Sequence, residues 1–154
     1  MLDQKLKEEI ECIEDIVFVC IGTNEVLGDC LGPLVGTYLK ENSNFKVYGD
    51  MENNICTSKD IKRLCRKTKN KKVIAIDSAI SDVAKIGEIF VSDRCCRVGR
   101  GIGIDKNEIG DITIKVVVAK KEKNNYKTIQ NLLNVDYKVV NSLAEEIGKS
   151  LCEL

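Results

Sequence analysis

Three strand-length apolar runs, Ile16-Val17-Phe18-Val19-Cys20-Ile21, Val73-Ile74-Ala75-Ile76 and Ile112–Ala119, set the strongest limit on what this chain can fold into. An alternating pattern would mark a strand with one wet face. A continuous run of β-formers marks a strand covered on both faces, as in a sheet enclosed between layers of helices.

The intervening segments carry helical patterns. Residues 3–14 place Leu6, Ile10 and Ile13 at helical spacing. A second helix is expected from Asp29, with Pro33 in its first turn and Leu31, Leu34, Val35, Tyr38 and Leu39 on one face. Thr57-Ser58-Lys59-Asp60 reads as a capping box for a helix to about Thr68, burying Ile61, Leu64 and Cys65. Further helices are expected over Tyr126–Asn134 and from Asp136, the last with Val139, Val140, Leu143, Ile147 and Leu151 as its stripe. Phe45–Tyr48 and Ile86–Ser92 read as additional strands, the latter in a mixed sheet. Strands alternating with helices predict an α/β protein: a three-layer α/β/α sandwich with a mostly parallel, mixed sheet, phosphorylase/hydrolase-like. At 154 residues the chain is read as a single domain, 1–154.

Composition excludes several functions. Lys+Arg and Asp+Glu are both 24, so no basic excess favours a nucleic-acid partner, and the cations from Lys59 to Lys72 read as a solvated helix face. The N-terminus lacks the apolar stretch of a signal peptide, and no apolar run is long enough to span a bilayer. A cytoplasmic protein with no membrane partner is expected. Eight cysteines include no C-x-x-C pair, so no zinc ribbon or thioredoxin-like centre is indicated. Cys12, Cys20, Cys65 and Cys152 are expected to be small buried apolar groups; Cys30, Cys95 and Cys96 fall in loops or at helix starts. The chain contains no histidine, which removes the usual general base near neutral pH and a common metal ligand. Acid–base chemistry must come from carboxylates, lysine, tyrosine or cysteine.

Two carboxylates qualify. The first apolar run passes into Gly22-Thr23-Asn24-Glu25-Val26-Leu27-Gly28-Asp29-Cys30-Leu31-Gly32-Pro33, which delivers Asp29 to a helix start; the second run ends on Asp77. In an open α/β sheet ligands bind beyond the carboxyl ends of the strands. If the two strands are neighbours, Asp29 and Asp77 face each other, and mutual repulsion raises one pKa. One aspartate then serves as acid while the other activates water, a peptide hydrolysis without metal, cofactor or covalent intermediate. Plain capping also accounts for both residues, Asp29 at its helix and Asp77 at a turn before Ser78–Ala84. Gly22, Thr23, Asn24 and Gly28 are candidate substrate-binding positions, as are Gly101 and Gly103 in the loop Gly99–Gly110. That loop lacks the spacing and the following helix of a dinucleotide fingerprint. Arg97, Arg100 and Lys106 decorate it as solvated charges able to meet acidic groups.

The segments Val19–Gly36, Val73–Ala79, Gly99–Gly103 and Ile109–Ile114 together resemble the YyaC-type sporulation proteins over about Ile16 to Val118. That family is similar to the germination protease, which degrades small acid-soluble spore proteins, and more distantly to hydrogenase maturation peptidases. The resemblance implies that Asp29 and Asp77 take the places of the two aspartates thought to act in the germination protease. In the hydrogenase peptidases those places supply nickel ligands, with a histidine as the third; here there is no histidine to complete such a site. The implied function is a forespore endopeptidase acting on a protein or peptide substrate, with a homo-oligomer left open. The alternatives are a non-catalytic sporulation factor that binds peptide in the same cleft, and a metal-dependent processing peptidase using Asp29, Asp77 and a thiol such as Cys30 or Cys95.

Overall fold

The computed structural model describes residues 15–98 and 107–154. The proposed helix 3–14 and the residues Gly101, Gly103, Arg100 and Lys106 lie outside them. The described residues form strands β1 (Ile16–Cys20), β2 (Lys46–Tyr48), β3 (Lys72–Ser81), β4 (Ile89–Ser92), β5 (Cys96–Arg97), β6 (Glu108–Ile109) and β7 (Ile112–Lys120). Among the described residues the α-helices are α1 (Leu31–Asn42), α2 (Ile61–Lys67), α3 (Asn125–Leu133) and α4 (Tyr137–Cys152). The main sheet has the order β2-β1-β3-β7-β4. All its pairings are parallel except the edge pair β4–β7. A mixed, mostly parallel sheet is therefore the observed one, and β5 and β6 form a separate antiparallel ribbon.

The apolar runs serve both faces, as continuous runs must. Phe18, Cys20, Ile74, Ile76, Ile112 and Ile114 point to one side and pack with Val35 and Leu39 of α1 and Val140, Ile147 and Leu151 of α4. Phe18 also meets Phe45 edge-on, with ring centroids 5.1 Å apart. Val19, Ile21, Val73 and Ala75 point to the other side and pack with Ile61 and Leu64 of α2 and with Cys96, Val98 and Ile109 of the ribbon. Helices thus cover one face, and a helix with the ribbon covers the other.

Several boundaries and burials differ from expectation. β4 begins at Ile89 rather than Ile86, because Gly87 turns with φ 89°. β3 does not stop at Ile76; its pairing with β7 carries it through Asp77 to Ser81. Val139 is exposed, so the buried stripe of α4 is Val140, Ala144, Ile147, Gly148 and Leu151. Cys65 is exposed rather than buried, its thiol donating to the Glu108 carbonyl, and Cys152 is half-buried. Cys20 is buried as expected. The capping box is present: the Thr57 amide donates to the Asp60 carboxylate at 3.0 Å, ahead of a 3₁₀ turn that opens α2. Among the described residues no helix is long and apolar enough to cross a membrane.

Candidate active site

The site forms where β1 ends and β3 continues. The last β1–β3 pair is Cys20↔Ile76, and the Ile21 amide donates to the Ile76 carbonyl at 2.8 Å. After Ile21 the chain swings away from the sheet. Gly22 makes the bend with φ 151°, and a Cβ there would collide with the Asp29 carbonyl oxygen. Its amide donates to the Cys56 carbonyl (2.9 Å), and the Thr23 amide closes the loop on the Asp29 carbonyl (3.1 Å). A 3₁₀ turn, Leu27–Asp29, then leads into α1, whose first turn sits so close to Ile21 that a side chain at Gly32 would strike the Ile21 carbonyl.

Asp29 is not a helix cap. Cys30 occupies the N-cap position of α1, and no side chain bonds the helix start there. The Asp29 carboxylate instead accepts a hydrogen bond from Ser78 Oγ, 3.2 Å away on β3. Asp77 is not a turn cap either, since it lies within β3 opposite Lys115 of β7. Its side chain is 18% exposed, with Lys115 Nζ 3.6 Å from Oδ2 and the Cys96 thiol donating to the same oxygen at 3.7 Å. Capping, which spacing alone allowed for both residues, describes neither.

Strand alternation puts the partners of the two aspartates on opposite faces of the sheet. Asp77 continues the Val73–Ala75 row, toward the ribbon; Ser78 continues the Ile74–Ile76 row, toward α1, where Asp29 meets it. The carboxylates are not hydrogen-bonded to each other. They remain electrostatically coupled. Burial pushes Asp77 up, Lys115 pulls it down and the Asp29 charge pushes it up again, leaving it at about 6. Burial raises Asp29 as well, and the Ser78 hydroxyl opposes that rise.

The other candidate positions are placed as follows. The amides of Gly22 and Thr23 are taken by the Cys56 and Asp29 carbonyls. Asn24 is exposed. Gly28 is buried against Leu132 of α3. Arg97 is ion-paired with Glu108 across the ribbon at 2.8 Å. The Cys30 thiol donates to the Leu27 carbonyl at 2.9 Å. Cys95 is exposed beside a small cleft of about 200 Å³ lined by Phe90, Ser92, Arg94, Thr113 and Lys115. Among the described residues no three His, Cys, Asp or Glu side chains cluster closely enough to hold a metal ion.

Two carboxylates at the carboxyl edge of a parallel sheet, on this topology, can be set beside known proteins. The model of DUF1256, a family described as protein of unknown function, matches residues 1–150. The chain belongs to this family. It is 37% identical over 139 residues to the Bacillus subtilis (strain 168) protein named "Uncharacterized protein YyaC", a match covering 86% of this chain and 68% of that relative. Its fold is similar to that of the [NiFe] hydrogenase maturation protease HycI from Thermococcus kodakarensis KOD1, with a TM-score of 0.67, 16% identity and 97% of each chain covered. It is also similar to the [NiFe] hydrogenase maturation protease HybD from Thermococcus kodakarensis, with a TM-score of 0.54, 17% identity, and 90% of this chain and 99% of that one covered. The likeness to these two is one of fold.

Within this DUF1256 chain, sequence reading missed Ser78, Lys115 and the role of Cys96. Lys115 had a signal. It is the one charged residue inside the run Ile112–Ala119, and a lysine in a central strand needs a partner. Ser78 and Cys96 had none, because their importance arises from β3 running past the end of β1 and from the ribbon folding over Asp77.

Proposed function

We propose that this chain is an aspartate-dependent endopeptidase acting on a forespore polypeptide, small acid-soluble spore proteins being the first class to test. The observation that carries the reading is the unequal environment of the two carboxylates. Burial raises Asp29, but the hydrogen bond it accepts from Ser78 opposes that rise and favours its ionised form. Asp77 is held toward its protonated form by burial, up to about 6. Asp29 then takes a proton from the attacking water, and Asp77 gives its proton to the leaving amine nitrogen. The spore setting rests on the resemblance of the motif segments to YyaC-type sporulation proteins, and the peptidase reading is supported by the fold shared with maturation proteases. Asp29→Asn and Asp77→Asn are each expected to abolish cleavage of a purified small spore protein while leaving the circular dichroism spectrum unchanged. The wild-type rate should peak below neutral pH, rising as Asp29 ionises and falling as Asp77 loses its proton near 6. Full cleavage by either variant would end this reading. Binding without fragments would leave a peptide-binding sporulation factor in its place.

A further inference from the structure

β3 is twice as long as β1, ten residues against five. β1 pairs with Lys72–Ile76, so Asp77–Ser81 extend past it. On their other side these residues stay paired with β7 as far as Ser81↔Lys120, with one shift of register between Ala79 and Ile80 that leaves Val118 of β7 without a partner on β3. In a strand the N–H and C=O of one residue point to the same side, and the side alternates with each residue. The Val73 carbonyl accepts from the Asp111 amide and the Ser81 carbonyl from the Lys121 amide, so odd-numbered residues of β3 face β7. The Ile76 carbonyl accepts from Ile21, so even-numbered residues face β1. Ser78 and Ile80 therefore direct their backbone groups to the side where β1 has ended. Among the described residues no backbone hydrogen bond from the Gly22–Cys30 loop reaches them.

We propose that this open edge of β3, Ser78 to Ser81, receives an extended polypeptide as an added strand, and that the added strand is how substrate meets Asp29 and Asp77. A row of unpaired donors and acceptors is a template for another strand. Here it lies in the sheet of a stable core, with Ser78 and Ile80 only half-buried. Both aspartates flank its near end. Ser78 lends its backbone to the edge and its hydroxyl to Asp29, and its neighbour Asp77 lies on the opposite face. A peptide lying along the edge therefore passes between the two carboxylates, although strand alternation keeps them apart in the free protein. The recognised ligand is an extended backbone, so a folded domain is refused and an unfolded or looped segment accepted.

The inference rests on the peptidase reading for its purpose, and its test is separable from it. A decapeptide would be selected from a random library by binding to the Asp29→Asn/Asp77→Asn protein, then rebuilt with an N-methyl group at each position in turn. Strand addition predicts losses of at least tenfold in affinity at every second residue and little change between them. It also predicts slowed hydrogen exchange at the Ser78 and Ile80 amides on binding. As a second variant, Ile80→Pro removes a donor that faces away from β7 and should lose peptide binding, whereas Ile80→Ala, which gives up the same side-chain packing on the core but keeps the donor, should retain it. Periodic binding without cleavage by the wild type would sink the peptidase reading and leave the edge site standing. Selection of no peptide, N-methyl effects without the two-residue period, or unchanged exchange at Ser78 and Ile80 would overturn the edge site, whatever the catalytic result.

Discussion

Lys115 Nζ stands 3.6 Å from Asp77 Oδ2, directly across the β3–β7 ladder. Its consequence is an Asp77 whose proton affinity is a balance. Burial and the Asp29 charge push the carboxyl up, Lys115 pulls it down, and it settles at about 6. Lys115→Met removes the main opposing influence, so the Asp77 pKa should rise above about 6. Carbon-13 titration of the Asp77 carboxyl would read this, and Lys115→Arg should restore the wild-type midpoint. An Asp77 titration unchanged in Lys115→Met would mean that the ion pair does not govern this group.

The same shift predicts a stability effect. The folded-state pKa of Asp77 lies above its ordinary value of 3.8, so its contribution favours folding fully below that value and is lost as pH rises through about 6. At pH 7 the ionised, poorly solvated carboxylate costs up to about 3 kcal/mol, at roughly 1.4 kcal/mol per pK unit. Asp77→Asn should therefore stabilise the protein at pH 7 by about 1–3 kcal/mol, less than the full amount because Lys115 loses its partner. Urea denaturation at pH 4 and pH 7.5 checks the sign, with the two proteins converging at the lower pH. Destabilisation at pH 7.5 would show that the ion pair outweighs the burial cost.

How far the sequence reached can be judged from Asp77. The run Val73-Ile74-Ala75-Ile76 announced a buried strand correctly, and with it the sandwich, because continuous apolar runs have few other uses. The strand's end could not be read. Asp77, Ser78 and Ser81 look like turn residues, yet β7 is long enough to pair with them. Local propensity lost to a neighbour distant in sequence. Asp29 failed for a related reason: it has the chemistry of a cap, but the loop set by Gly22 turns its carboxylate away from α1 and toward β3. Residue type was legible in both cases; direction, which decides function, depended on tertiary packing.

Gly22 carries that direction and should tolerate no side chain. Gly22→Ala places a Cβ against the Asp29 carbonyl and near the Pro33 ring, at a φ that L-residues avoid. A loss of about 2–4 kcal/mol is expected from the combined strain and overlap. Any protein that still folds should show a displaced Asp29, seen as loss of the Ser78–Asp29 coupling in carboxyl titration. A variant as stable as wild type would mean that the loop has another low-energy path.

Cys96 offers a direct probe of the cover over Asp77. Burial, and after it the Asp77 charge, push its thiol up to about 12, whereas Cys65 and Cys95 are exposed. In native protein at pH 8, iodoacetamide should label the exposed Cys95 within minutes and Cys65 more slowly, because burial raises its thiol. Cys96 should stay protected, as should the buried Cys20 and Cys56, the latter with its thiol raised to about 11. Peptide mapping by mass spectrometry gives each rate separately. Cys96 belongs to the ribbon β5–β6, which is held by few backbone bonds and the Arg97–Glu108 pair. Local opening of the ribbon should therefore expose it before global unfolding exposes Cys20. Glu108→Gln, which weakens the Arg97 pair, should accelerate Cys96 labelling and leave Cys20 unchanged. Equal acceleration at both would assign the protection of Cys96 to the whole fold, and the ribbon would no longer count as a separate cover on the site.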